Sequence, residues 1–106
     1  MTQSEHDIQA LILIYVTSLP NTFAFRMNTG KARMGGRFVT FGIPGQPDIF
    51  AIIQGRFVGI EIKTATGRQS KDQQNWQRNC ERAGGLYILA RSVDDVEAAL
   101  READLI

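Results

Sequence analysis

The stretch that decides the fold is "PDIFAIIQGRFVGIEIK", residues 47–63. Two apolar runs flank a Gln-Gly pair, which is typical of a tight turn. Residues 48–53 and 56–63 are therefore predicted to form a β-hairpin. The first run is apolar throughout after Asp48, as expected of a buried strand. A carboxylate at the mouth of a buried strand is unfavourable unless it is paired or binds a metal. Asp48 is therefore a candidate functional residue.

The second strand of this hairpin carries a second acid and a lysine. Side chains alternate between the two faces of a strand, so Glu61 and Lys63 point away from Ile60 and Ile62. Asp48 begins the neighbouring strand and is expected to lie beside Glu61. Two carboxylates and one ammonium group then converge at one edge of an apolar sheet. Carboxylates, a nearby backbone carbonyl and water suit Mg²⁺ or Mn²⁺, so the hairpin predicts a metal site.

The flanking sequence predicts helices around the sheet. Apolar residues recur at helical spacing in residues 4–18, in residues 70–83 and after Ser92. Further strands are predicted at residues 22–27, 38–41 and 86–90. The order is helix, three or four strands, helix, strand, helix. It indicates an α/β or mixed α+β domain with a mixed β-sheet flanked by helices. The strand-helix-strand unit of residues 57–90 is expected to be parallel and right-handed.

Two local features complete this prediction. Thr2 and Glu5 are expected to form a capping box at the start of the first helix. The segment "NTGKARMGGR", residues 28–37, is expected to be a flexible basic loop because it contains three glycines and no apolar alternation.

Length and composition favour one soluble domain. The 106 residues and the apolar content of 43% suit a single domain spanning residues 1–106. Cys80 is the single cysteine and has no internal disulfide partner, which fits a reducing compartment. The apolar run at residues 10–16 is too short to span a bilayer. We therefore expect a cytoplasmic protein without a membrane partner.

The net charge of +1 is unevenly distributed along the chain. No acid lies between Asp7 and Asp48, whereas basic residues recur there, and the C-terminal stretch is acidic. The asymmetry favours one face for a polyanion, although chance clustering of surface charge also explains it. The basic residues are Arg26, Lys31, Arg33 and Arg37.

The spacing of the acids resembles a known nuclease motif. "GQPD" at residues 45–48, twelve intervening residues and "EIK" at residues 61–63 resemble the PD-(D/E)XK motif. The flanking pattern resembles the VRR-NUC branch of that superfamily over nearly the whole chain. The residues that carry this second resemblance are Glu5, "RMNTG" at residues 26–30, Ser70, Gln73, Trp76 and Gly84.

This resemblance implies a restriction-endonuclease-like PD-(D/E)XK core and a set of site residues. The implied metal ligands are Asp48, Glu61, the Ile62 carbonyl and Glu5, the last directly or through water. Lys63 is implied as the catalytic lysine, and Gln73 joins the site from the following helix. Without the resemblance, a capping role also explains Glu5 and a solvated helix surface also explains Gln73.

The leading hypothesis is a metal-dependent DNA endonuclease that hydrolyses phosphodiester bonds with Mg²⁺ or Mn²⁺. No recognition helix stands out, so recognition by shape is favoured over base reading. Similarity to Holliday-junction resolvases implies a homodimer that cuts branched DNA, in a bacterial cell or a phage-infected host. The residues expected to contact DNA phosphates are Arg26, Asn28, Lys31, Arg33 and Arg37.

Two other functions remain open at this level. One is a non-catalytic, structure-specific nucleic-acid-binding module or subunit with the same fold. The other is a phosphodiesterase that acts on RNA.

Overall fold

The structure is a computed structural model that describes residues 3–27, 30–41 and 43–106, with the backbone alone at 30–34 and 38–41. Its helices are α1 (Glu5–Thr17), α2 (Lys71–Arg82) and α3 (Val93–Glu102). Its strands are β1 (Thr22–Arg26), β2 (Gly30–Met34), β3 (Arg37–Phe41), β4 (Ile49–Ile53), β5 (Arg56–Ile62) and β6 (Leu86–Ala90). No helix among the described residues is long and apolar enough to cross a membrane.

Four of the strands form the central sheet in the order β1-β4-β5-β6. The β1–β4 and β4–β5 pairs are antiparallel, and β5 and β6 are parallel. The predicted β4–β5 hairpin and the predicted parallel unit are therefore confirmed. Gln54 and Gly55 both have positive φ values, 52° and 80°. Such a two-residue turn follows the twist of the strands and sets their register.

One face of the sheet carries the hydrophobic core. The isoleucines and valines that alternate inward on β4 and β5 are completely or almost completely buried, and α1 and α3 cover them. Ile12 of α1, Ile60 of β5 and Leu100 of α3 each have no exposed surface. Burial of each such side chain stabilises the fold by about 1.5–3 kcal/mol.

The opposite face of the sheet is only partly covered. Helix α2 packs against β6, and Trp76 lies 5.7 Å from Phe50 and 6.3 Å from Tyr87 between ring centroids. This cover does not extend to β1 and the end of β4. Phe23 remains 65% exposed and Ile52 remains 48% exposed, so this face presents an apolar surface to solvent.

The prediction of a basic loop at residues 28–37 is wrong. Strands β2 and β3 pair in antiparallel register as a separate two-stranded sheet, so the described residues form five strands before α2 rather than three or four. Gly35 and Gly36 form the turn with φ values of 58° and 78°, a conformation that glycine adopts without steric penalty. Asn28 lies outside the described residues.

The predicted capping box of Thr2 and Glu5 is also wrong. Ser4 is the N-cap of α1, and its hydroxyl oxygen accepts a hydrogen bond from the Asp7 amide at 3.1 Å. Thr2 lies outside the described residues. Glu5 is the first residue of the helix and its side chain is exposed. Because Ser4 satisfies the helix terminus, capping does not account for Glu5.

The turn before Asp48 packs closely against α2. A Cβ atom on Gly45 would lie 2.3 Å from the Asp72 carbonyl carbon, and the φ value of Gly45 is 84°. Both facts require glycine at this position. Helix α2 begins there with a complete capping box between Ser70 and Gln73. The close contact holds the chain entering β4 against the first turn of α2.

Candidate active site

The predicted site residues gather at one edge of the central sheet. Because β4 runs antiparallel to β1 and β5, its first residue meets the last residues of both neighbours. β6 is parallel to β5, so its last residue reaches the same edge. Along this edge, Arg26 is followed by Asp48, then by Glu61 and Lys63, and then by Arg91. The acids therefore lie between basic residues.

Asp48 is held rigidly between two strands. Its Oδ2 atom accepts a hydrogen bond from the Ile62 amide at 2.7 Å, and its carbonyl oxygen accepts one from the Met27 amide at 2.8 Å. Ile49 pairs with Ile60, so Asp48 comes opposite Glu61 when the register continues by one residue. The expected juxtaposition of these two acids is present.

Glu61 is the buried member of the pair, with only 3% of its surface exposed. Burial is the largest cause that raises the pKa of Glu61, which reaches about 9. The charge of Asp48 and a hydrogen bond between the two side chains raise this pKa further, as does the charge of Glu5, whereas Lys63 lowers it. At neutral pH without a cation, Glu61 therefore carries a proton next to Asp48.

The donor set fits a hard divalent cation. Burial and the charge of Asp48 both oppose ionisation of Glu61, and a cation bound by the two side chains would offset both effects. The carbonyl group of Ile62 follows Glu61 directly. Mg²⁺ is usually bound through one or two carboxylates and keeps several waters. Mn²⁺ prefers the same oxygen ligands.

Glu5 does not join Asp48 and Glu61 in a tight cluster. Among the described residues, no group of three or more His, Cys, Asp or Glu side chains has the geometry to hold a metal ion. The negative charge of Glu5 nevertheless contributes to raising the pKa of Glu61, so the Glu5 side chain lies near the site. Contact of Glu5 with a cation, directly or through water, stays a prediction.

Lys63 follows the end of β5 and is fixed by contacts on two sides. Its amide donates to the Ala90 carbonyl at 3.0 Å, which extends the pairing with β6. A Cβ atom on Gly67 would lie 3.3 Å from Cδ and 3.4 Å from Cβ of Lys63, so the following loop closes over the lysine stem. The backbone and the stem are constrained, and the positive charge of Lys63 lowers the pKa of Glu61, as expected for two side chains on one face of the strand.

Tyr87 is a site residue that the sequence analysis missed. Its hydroxyl group lies 3.5 Å from Oε2 of Glu61, and burial raises the pKa of Tyr87, which keeps it a donor. Gln69 acts in the opposite direction and lowers the pKa of Tyr87. Tyr87 pairs with Gly59 across the parallel ladder and so shares the face of Glu61. The alternation in "LYILA" predicts which face of β6 Tyr87 occupies. The register of β6 against β5 is needed to place Tyr87 next to Glu61.

Gln46 is a second buried polar residue near the acids, two positions before Asp48. Only 6% of its surface is exposed. Its Oε1 atom accepts a hydrogen bond from the Ile43 amide at 3.0 Å, while Nε2 has no partner in the described part of the chain. The sequence motif contains Gln46, but only burial distinguishes it from a solvated turn residue.

Gln73 lies at the first turn of α2 rather than on an open helix surface. Its Oε1 atom accepts a hydrogen bond from the Ser70 amide at 2.8 Å. This capping contact accounts for one end of the amide group. A further role for Gln73 at the site stays a prediction.

The basic residues predicted to contact DNA begin next to the acids. Arg26 is exposed and pairs with Ile49, one residue away from Asp48. Lys31 and Arg33 belong to β2, and Arg37 is exposed at the start of β3. Along the chain, the β2–β3 hairpin therefore lies between the end of β1 and Asp48.

An α/β domain with an Asp, a Glu and a Lys at one edge of a mixed sheet has the arrangement of the PD-(D/E)XK class. No protein-family model and no curated protein matches the sequence. A solved "VRR_NUC domain protein" superposes with a TM-score of 0.72 and 18% identity, covering 100% of this chain and 93% of that chain. A solved "VRR_NUC domain" superposes with a TM-score of 0.65 and 18% identity, covering 92% and 94%. The chain therefore has the fold of VRR_NUC domain proteins, and the fold class predicted from the sequence is confirmed.

Proposed function

We propose that this protein is a DNA endonuclease that hydrolyses phosphodiester bonds with Mg²⁺ or Mn²⁺. The observation that carries the proposal is the pairing of Asp48 with the buried Glu61 beside Lys63. Burial and the charge of Asp48 raise the pKa of Glu61, and acids perturbed in this way cluster at functional sites. The fold shared with VRR_NUC domain proteins supports the same assignment.

The geometry assigns a task to each residue. Asp48 is already oriented by the Ile62 amide, so its free carboxylate oxygen requires little reorganisation. Glu61 would hold the cation in its ionised form, so binding of a cation would be coupled to release of the Glu61 proton. A bound cation would place positive charge at the phosphate and lower the pKa of the attacking water. The Lys63 ammonium orients that water or stabilises the charge that develops on the phosphate.

The nucleic acid is expected to lie along the edge of the sheet. Strands β2 and β3 lie between β1 and Asp48 along the chain, and they contain Lys31, Arg33 and Arg37. Asn28 belongs to the same segment by sequence. These residues would contact the phosphate backbone, which fixes position without reading sequence.

We further propose that the protein acts as a homodimer. The exposed side chains Phe23, Phe25 and Ile52 lie on one face, because Phe23 pairs with Ile52 and Phe25 pairs with Phe50. Contiguous exposed apolar surface of this kind marks an interaction site. A second copy of this chain would cover this surface. The resulting dimer would supply the two active sites that a symmetric DNA junction requires.

Replacing Phe23 by aspartate is expected to convert the dimer into a monomer, because a charge would be buried in an apolar interface. The measurement is molar mass by light scattering after size-exclusion chromatography. Ile14→Asp is the matched control, since Ile14 is 68% exposed on α1 and lies outside this face. A wild-type protein that is monomeric at micromolar concentration would contradict the dimer.

The substrate is expected to be branched DNA. In Mg²⁺ or Mn²⁺, the wild-type protein should cut labelled four-way junctions faster than flaps, splayed arms or linear duplex. The reason is that two symmetric sites match a symmetric junction, while no recognition helix for base reading stands out among the described residues. Equal cutting of linear duplex would contradict the structural preference. Binding to junctions without cutting in either cation would instead support the non-catalytic module.

A further inference from the structure

A second concave surface lies at the carboxyl ends of β5 and β6. It is a cavity of about 390 Å³. Its lining residues are Ala65, Thr66, Gly67, Arg68 and Arg91. The two charged side chains of this lining are both arginines. Neither forms an ion pair with a described residue, whereas Arg101 of α3 pairs with Glu97 at 2.9 Å.

Arg91 is fixed in place by the loop that follows Lys63. Its Nη1 atom donates hydrogen bonds to the carbonyl oxygens of Thr64 and Gly67, the second at 2.8 Å. Its backbone amide donates to Oδ2 of Asp95 at 2.8 Å, which ties the residue to the start of α3. Both carbonyl contacts use one nitrogen, so the other guanidinium N–H groups remain for a ligand. Their orientation is set before a ligand arrives, which lowers the entropic cost of binding.

The cavity is joined directly to the candidate active site. Gly67 lines the cavity and also packs against the stem of Lys63, since a Cβ atom on Gly67 would lie 3.3 Å from Cδ of Lys63. Arg91 follows the end of β6, which lies beside the end of β5. If one phosphate of a DNA strand lies at Lys63, a neighbouring phosphate of the same DNA strand would therefore lie near this loop.

We propose that Arg68 and Arg91 form a binding site for a backbone phosphate that neighbours the phosphodiester bond to be cut. The proposal rests on the proposed function, because it assumes that DNA lies at the acids. Guanidinium groups bind phosphate through paired N–H donors, which suits two arginines without acidic partners. Arg91 supplies the fixed half of the site. Arg68 is exposed and supplies the half that closes on the strand.

The test measures DNA binding by fluorescence anisotropy over a range of KCl concentrations, without a divalent cation so that no cutting occurs. Arg68→Gln is expected to reduce the slope of log K against log salt by about 1, the loss of one phosphate contact. Arg68→Lys keeps the charge and should retain the slope. Arg101→Gln is the matched control, since it removes the same charge from α3 on the opposite face of the sheet.

Several outcomes would overturn this site. They are an unchanged slope for Arg68→Gln, an equal reduction for Arg101→Gln, and no DNA binding by the wild type. Cleavage of the same DNA in Mn²⁺ separates the two proposals. Cutting by the wild type with an unchanged Arg68→Gln slope would reject the phosphate site and keep the nuclease. A reduced slope without any cutting would keep the site and reject the nuclease.

A second arm distinguishes a DNA phosphate from a free anion. The Nε–H signals of Arg68 and Arg91 would be followed by NMR during titration with inorganic phosphate and with a short DNA strand. Movement of both signals with DNA alone supports a strand-specific site, and movement with both ligands supports a general phosphate site. Movement with neither ligand overturns the assignment.

Discussion

Lys63→Ala is expected to lower the cleavage rate by about a thousandfold, because one positioned charge or proton-transfer group contributes on that scale. The fold should be preserved. The contact that secures this position runs from the backbone amide to Ala90 and does not need the side chain. The measurement is the single-turnover cleavage of a junction in Mn²⁺, with thermal unfolding as the check on folding.

The matched control for this prediction is Lys71→Ala. Lys71 is exposed at the first position of α2, and its replacement removes the same charge from a residue outside the Asp48, Glu61 and Lys63 set. Cleavage by Lys71→Ala should remain near the wild-type rate. Full activity in Lys63→Ala would show that the Asp48, Glu61 and Lys63 set does not perform the reaction.

Glu61→Gln is expected to remove a pH dependence of stability from the metal-free protein. In the unfolded chain Glu61 loses its proton near its ordinary pKa of about 4.3, whereas the folded protein keeps that proton up to about pH 9. Wild-type stability should therefore fall as pH rises through this window, by up to about 1.4 kcal/mol per pH unit. Glutamine resembles the protonated acid and does not titrate. The variant should be the more stable protein at pH 8 and nearly equal to wild type at pH 4.

The measurement is the free energy of unfolding at both pH values, with and without Mn²⁺. Addition of Mn²⁺ should stabilise the wild type at pH 8, since a ligand that binds only the folded state raises its stability. Glu61→Gln should lose that increase. Glu102→Gln changes an exposed acid on α3 and should behave as the wild type. Identical pH profiles for wild type and Glu61→Gln would refute the raised pKa, and a retained Mn²⁺ effect would place the cation elsewhere.

The hairpin that carries the two acids was predictable from local sequence. The two-residue turn at Gln54 and Gly55 sets the register of β4 against β5, and that register places Asp48 opposite Glu61. Helices α2 and α3 were predictable for a related reason. Ser70 and Ser92 accept hydrogen bonds from the amides three residues later, so a residue next to each helix in the sequence specifies where that helix begins.

Two local predictions were wrong because the same residues are compatible with more than one local structure. The β2–β3 strands lack a clear apolar alternation, so the Gly35–Gly36 turn resembled a loop, although that pair also suits a hairpin. At the first helix, both Thr2 and Ser4 are residues that can cap a helix. Ser4 is the cap in the structure because its hydroxyl group reaches the Asp7 amide.

The sequence by itself determined the order of the main elements, the buried face of the β4–β5 hairpin, and the meeting of Asp48 and Glu61. All three depend on turns, caps and alternation that act over a few residues. Only the tertiary structure decided that Tyr87 reaches Glu61, that Gly67 closes over Lys63, and that Arg91 lies at the same edge. The contact of Tyr87 with Glu61 and the contacts of Arg91 join segments separated by α2, so their geometry depends on how α2 and β6 pack against the sheet. The contact of Gly67 with Lys63 depends on the conformation of the loop that follows β5.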